Sequence, residues 1–219
     1  MAFATISADI VASSSLSNEA KIGLNESLKK CIGTLESHYG GFWGRIVRGD
    51  SVECIVEKPE DALEIALILK TWVKAYGPNV NSAANEFKKY GIRLAIGIGD
   101  MSIIDKSRDI MDGDAIYRSG RSLDGLSGWS KYSMVISMYD NSCESALQVM
   151  LSFANHILNG ATARQCETLC NRLLAHDAQE AAELMGISVS GLNQTLIKVG
   201  WGAIEQMLIY YRTKIGDIH

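Results

Sequence analysis

The run Arg45-Ile46-Val47-Arg48-Gly49-Asp50-Ser51-Val52-Glu53-Cys54-Ile55-Val56 constrains this chain more than any other stretch. Segments rich in β-branched residues flank Gly49-Asp50, and an Asp-containing glycine turn between such segments is the strongest local signal for a β-hairpin. The hairpin puts the carboxylate of Asp50 at the tip of a stiff two-stranded arm. A second carboxylate, Asp9, interrupts the alternating apolar run Phe3-Ala4-Thr5-Ile6-Ser7-Ala8-Asp9-Ile10-Val11, where a charge needs a partner or a task to offset its desolvation. If the two strands are neighbours, the carboxylates converge on a position suited to one or two hard divalent cations, Mg2+ or Mn2+. Magnesium is usually held by one or two carboxylates plus substrate phosphates. The competing reading is a turn aspartate and an unrelated strand-terminal one, since aspartate is common in turns.

Around these two strands the periodicity predicts a split alternation. Ser13-Ser14-Ser15 and Ser17 offer N-caps for a helix over residues 16–37, with Ile22, Leu28, Ile32 and Leu35 on its buried side. Pro59 opens a second helix over 60–76, in which Ala62, Ile65, Ala66, Leu69 and Trp72 recur at helical spacing. Residues 79–89 are polar and read as a loop with a helical turn. Residues 92–100 read as a central strand with a partner through 101–104, followed by a helix over 115–126 and a last strand over 132–138. The order strand, helix, strand, strand, helix, strand, helix, strand predicts an α+β, ferredoxin-like sandwich with helices over one face.

Beyond residue 140 the strands stop. Helices are expected over 141–158, 164–175, 189–199 and 201–211, and the run Asp177–Ser188 has a helix-turn-helix outline, with Gly186 at the turn and Ser188 as a cap. The division is therefore a sandwich over 1–140 and a small all-α tail over 141–219. On the second helix Ser188, Ser190, Asn193, Gln194 and Lys198 form a polar set, and Asn and Gln can read adenine bidentately. Charge opposes a DNA role: from Cys143 onward Arg164, Arg172, Lys198, Arg212 and Lys214 face Glu144, Glu167, Asp177, Glu180, Glu183, Glu205 and Asp217, whereas phosphate neutralisation normally dominates affinity. A dimerising or partner-docking tail is the competitor.

Composition narrows the class further. The 219 residues carry a formal charge of −4 and are 47% hydrophobic, which excludes bulk electrostatic binding of nucleic acid and allows a sizeable core. No apolar run approaches the roughly 18 residues of a membrane span, so the expectation is a soluble cytoplasmic protein. Five scattered cysteines suit reduced thiols, with Cys166 and Cys170 read as core rather than zinc ligands.

The first half resembles the catalytic domain of class III nucleotidyl cyclases. The resemblance spans about residues 3–140 and rests on Asp9-Ile10, on Gly49-Asp50, on Leu94-Ala95-Ile96-Gly97-Ile98-Gly99, and on Gly113-Asp114-Ala115-Ile116-Tyr117-Arg118-Ser119-Gly120-Arg121. It implies metal binding at Asp9, Ile10 and Asp50, nucleotide contacts from Arg45, Arg48 and the Tyr117 position, a transition-state role for Arg121, and a homodimer in which Arg121 of one chain approaches the aspartates of the other. Tyr117 stands where such cyclases carry asparagine, and Ile46 where they carry a base-reading lysine. The whole architecture also resembles small bacterial SatD-like proteins, and the tail resembles the DNA-reading region of sigma factors through Thr162-Ala163-Arg164-Gln165 and Gln179–Ser188. Together these imply a cytoplasmic regulator that binds a divalent metal, a nucleoside triphosphate or other nucleotide, and DNA. The alternative is an active nucleotidyl cyclase or nucleotidyltransferase whose tail serves dimerisation. His38, His156, His176 and His219 have no metal spacing among them, and Gly97-Ile98-Gly99-Asp100 reads as a close-packed strand rather than a phosphate loop.

Overall fold

A computed structural model describes residues 2–76, 85–108, 110–126, 132–139 and 142–216. Its centre is a five-stranded sheet in the order β2-β3-β1-β4-β7, from β1 (Phe3–Ile10), β2 (Phe42–Val47), β3 (Ser51–Val56), β4 (Ile92–Gly99) and β7 (Met134–Met138). Strand β1 is antiparallel to both β3 and β4, and β7 is parallel to β4. With α1 (Asn18–His38) and α2 (Ala62–Tyr76) as crossovers, the first four strands of this set make the predicted ferredoxin-like sandwich. The short strands β5 (Ile103–Asp105) and β6 (Ile110–Asp112) pair only with each other, so the partner expected for β4 near 101–104 is instead half of a separate hairpin.

One face of the sheet presents Ile6, Ala8, Leu94 and Ile96 to α1 and α2, and all are buried. Helix α1 contributes Leu28, Ile32 and Leu35 to that core, but Ile22, expected inside, is 61% exposed. Helix α2 is buried nearly all round, including Leu63, Leu67, Ile68 and Val73, because α6 (Ala163–Leu174) packs on the side that the sheet does not cover. A helix apolar on every side needs such double cover.

Helix α4 (Asp114–Asp124) corrects the expectation of helices on one face, since it lies across the opposite one. Both β3–α2–β4 and β4–α4–β7 join parallel strands and step the same way across the sheet, so with their helices on opposite faces the two crossovers differ in hand. Right-handed crossovers are the near-universal rule. The exception is built on glycine: a Cβ at Gly97 would collide with the Ala115 carbonyl and lie 2.5 Å from the Ser119 nitrogen, and one at Gly99 would collide with Asp114. The bare strand gives α4 a seat at backbone distance. There Thr5 Oγ1 donates to the Ala115 carbonyl at 2.8 Å, and Ser119 Oγ lies 2.9 Å from Thr5 and 2.8 Å from Ser7.

After β7 the chain is helical: α5 (Glu144–Gly160), α6, α7 (Ala178–Met185), α8 (Val189–Lys198) and α9 (Trp201–Gly216), with α3 (Asn85–Tyr90) lying earlier, before β4. Residue 140 divides the elements by type but not the core, which runs unbroken from Ile6 through Leu151, Leu169 and Cys166 to Leu208. Helix α5 seals the free edge of β7 with side chains: Glu144 accepts from Met138 N–H, Gln148 from Ile136 N–H, and Asn155 from Ser133 N–H while donating to the Met134 carbonyl at 2.8 Å. Helices α7 and α8 meet at Gly186, which is left-handed at φ 62°, and Ser188 caps α8 by accepting from Gly191 N–H. This is the predicted helix-turn-helix. No described helix is long and apolar enough to cross a membrane.

The sequence offers no hint of Lys70, which is fully buried in α2 and donates to the carbonyls of Tyr90 and Ile92. Desolvation, helped by nearby Lys74, holds its pKa well below the ordinary 10.5. The unfolded chain then binds this proton more readily than the folded one, so Lys70 makes stability rise with pH up to about 10.5. Lys70→Met should therefore look best against wild type at the low end of that window and lose ground as pH rises, read from urea midpoints at several pH values.

The glycine seat gives a second test. Gly97→Ala should lower unfolding free energy by about 3 kcal/mol, the upper range for overpacking. Gly120→Ala, on α4 itself with nothing within 4 Å of the added carbon, should raise it by up to about 1 kcal/mol. Equal effects in urea titrations would contradict the close seat.

Candidate functional site

Strand β1 carries Asp9 at its end, and the sheet register fixes what lies beside it: Ser51 of β3 on one side and Arg93 of β4 on the other. Arg93 Nη2 lies 2.6 Å from Asp9 Oδ2 and Nε 3.1 Å from Oδ1, a two-pronged pair with each side chain about a quarter exposed. The third arm of the guanidinium, Nη1, donates to the Leu126 carbonyl just past α4, where carbonyls left free by the helix end favour a cation. Arg93 is not among the site residues that the sequence singles out. Its signal was the same as that of Asp9, a lone charge in an apolar strand.

The second carboxylate arrives through the hairpin. Ile10 N–H donates to the Asp50 carbonyl at 2.9 Å, placing Asp50 directly across from the residue after Asp9. Ile10 itself is buried at 3% exposure and meets the site through its backbone. The turn spans Arg48, Gly49 and Asp50 between the paired Val47 and Ser51, one residue longer than the Gly49-Asp50 join expected. Ser13 Oγ donates to Asp50 Oδ2 at 2.7 Å, from the short 3-10 turn that follows β1. Among the described residues two non-glycine residues sit in the left-handed region, Ala12 at φ 55° and Arg48 at φ 54°; Ala12 precedes Ser13, the partner of Asp50, and Arg48 shares the hairpin turn with Asp50. Such outliers cost on the order of 1–3 kcal/mol and cluster where geometry matters more than comfort.

Beside Asp50 opens a cleft of about 530 Å3 between α1 and the hairpin tip, lined in part by Ser13, Lys21, Asn25, Lys29 and Arg48. The lysines were not among the predicted site residues. Three cations, Lys21, Lys29 and Arg48, against two carboxylates, Glu26 and Asp50, leave the cleft with a small positive excess, which suits a ligand that brings negative charge with it. Asp9 and Asp50 offer hard oxygen donors, so the donor chemistry fits a divalent cation. Among the described residues no group of three or more His, Cys, Asp or Glu could hold a metal, so such an ion would draw its other ligands from water or phosphate.

The remaining predicted residues are dispersed. Arg45 lies on the sheet face shared with α4, bound to Glu53 at 2.7 Å and stacked over Trp43 with its carbon 5.7 Å from the ring centre. Tyr117 and Arg121 occupy the solvent side of α4, the guanidinium 5.7 Å from the Tyr117 ring centre. The Tyr117 hydroxyl donates to Asp112, which pushes its pKa up. On α8, Ser190, Asn193, Gln194 and Lys198 are exposed, with Ser188 exposed as its cap. Ile197, 78% exposed, shares their surface. All five cysteines are free and buried. Burial pushes Cys170 up to about 12 and Cys54 further, which suits packing rather than nucleophilic chemistry.

No family model and no curated protein matches this chain. Similar solved structures include two of a bacterial light-regulated adenylyl cyclase. The first is 18% identical at a TM-score of 0.44, and the second 20% at 0.43. Each alignment covers 63% of this chain and 43% of the other, so the chain spans less than half the length of these structures. A third is the guanylyl cyclase Cya2, 14% identical at a TM-score of 0.34, covering 54% of this chain and 67% of that one.

The left-handed residue at 12 can be tested directly. Ala12→Gly should be neutral or stabilising by up to about 1 kcal/mol, whereas Ala12→Val should cost about 1–2 kcal/mol. Thermal unfolding of the pair measures the difference.

Proposed function

We propose that this chain is a cyclase-like regulator that binds a divalent cation together with a nucleotide at the end of β1. The observation that carries the reading is two aspartates at one end of the β1–β3 pairing: Asp9 near the end of β1, and Asp50 one position further on, its carbonyl bonded to Ile10 N–H and its side chain beside the cleft that Lys21, Lys29 and Arg48 also line. In this reading Asp9 and Asp50 hold Mg2+ or Mn2+, which when bound neutralises charge on phosphate oxygens. Lys21, Lys29 and Arg48 draw the phosphates in and orient them. Ser13 holds the Asp50 carboxylate toward the cleft.

Arg121 enters through assembly. Its place on the outer side of α4 suits a two-fold homodimer in which it approaches the aspartates of the other chain, and symmetric dimers are the commonest oligomers. The tail has two readings, each with its own support. The exposed set Ser190, Asn193, Gln194 and Lys198 on α8 favours DNA, read by paired helices whose joint binding offsets a weakly charged tail. The apolar groove of about 470 Å3 between α5 and α9, where Phe153 is 66% exposed, favours the alternative of an active nucleotidyl cyclase whose tail serves dimerisation.

Titration with Mn2+ and each of ATP, GTP, CTP and UTP, with binding and product formation followed together, tests the reading. At least one triphosphate should bind in a Mn2+-dependent way, and Asp50→Asn should weaken it at least about tenfold, the scale of one lost charged contact. Mixing Asp50→Asn chains with Arg121→Ala chains should restore part of what each lost. Metal-independent binding, or none with all four nucleotides, counts against the site.

A further inference from the structure

We infer that Arg93 is an internal counter-ion that holds the cation's place on Asp9 and, in letting go, reports loading of the site to the end of α4. The inference rests on the cation reading of Asp9 and Asp50 given above.

Three observations combine. The Asp9–Arg93 pair is a register pair of β1 and β4, so the two residues cannot drift apart by loop motion. Both oxygens of Asp9 are engaged, Oδ2 by Nη2 at 2.6 Å and Oδ1 by Nε at 3.1 Å, which leaves neither free of the guanidinium. The same guanidinium grips the Leu126 carbonyl through Nη1. A divalent ion on Asp9 would sit against this fixed positive group, and like charges at such range repel strongly in a partly buried setting. Cation and Arg93 therefore compete for one carboxylate. When the cation wins, Arg93 is displaced from Asp9 and its bond to Leu126 is weakened. By linkage, whatever loosens that bond must equally favour the cation. Helix α4 carries Tyr117 and Arg121 on its outer side, so the element that feels the release is the one that presents these residues.

The test uses the whole protein with Mn2+ alone, free ion being counted by electron paramagnetic resonance, and hydrogen exchange at residues 123–126 as a second readout. Arg93→Gln should bind Mn2+ roughly 5- to 150-fold more tightly than wild type, the span of ordinary coupling energies, and Asp9→Asn should lose the ion. Exchange at the α4 end should quicken in wild type on adding Mn2+. In Arg93→Gln it should be fast already and indifferent to the ion. Arg93→Lys keeps the charge while giving up the fork, so it should bind Mn2+ as weakly as wild type while freeing the α4 end. If wild type binds Mn2+ and Arg93→Gln binds it no better, or the α4 end never responds, the inference fails while the cation site stands. If no variant binds Mn2+ with or without nucleotide, both fail together.

Discussion

Strand β1 is hydrogen-bonded along both sides, to β3 and to β4, and this double pairing is the constraint on which the rest depends. A one-residue slip on either side would turn every side chain to the opposite face. It would carry Ile6 and Ala8 out of the core and Thr5 and Ser7 away from α4. The same registers set the row Ser51, Asp9, Arg93 and bring Asp50 level with Ile10. The site is thus a by-product of how the core closes. Its precision comes from apolar packing some distance from any charge.

The contrast between the two faces of the sheet shows how the site gains access to solvent. Beneath α1 and α2 the sheet is covered by large aliphatic side chains, whereas α4 rests on two glycines and a small cluster of hydroxyls. A helix seated this closely covers little width. Arg45, Trp43 and Glu53 remain accessible on the β2–β3 half, and Asp9 remains about a quarter exposed at the strand end.

Local chemistry was the legible part. Asp9 and Asp50 stand out because a charge in an alternating run and a Gly-Asp turn are signals carried within a few residues, and most of the succession of elements along the chain follows from periodicity. What could not be read was anything set by distant neighbours. Arg93 matters because of a register that two other strands help to set. Gly97 and Gly99 announce a close approach without saying what approaches. Ile22 faces outward because it is two residues from Leu24 and so lies nearly opposite the stripe of Leu24, Leu28, Cys31 and Leu35 that the sheet buries. Lys70 sits in the middle of an apolar helix and looks like its solvent stripe until α6 closes over it. Glu144, Gln148 and Asn155 read as the polar side of an amphipathic helix, yet they serve as acceptors for a strand.

That last arrangement decides how the sheet could grow. The β7 edge is closed by side chains that already occupy its outward N–H groups, so an incoming strand would have to displace α5 before forming its first bond. The sheet is left with one growing end, β2, which is six residues long and interrupted by Gly44. Polymerisation by strand addition needs two receptive edges on each molecule, one to give and one to take. A five-stranded sheet with a single receptive edge can pair edge to edge with one other copy, and there growth of that sheet stops.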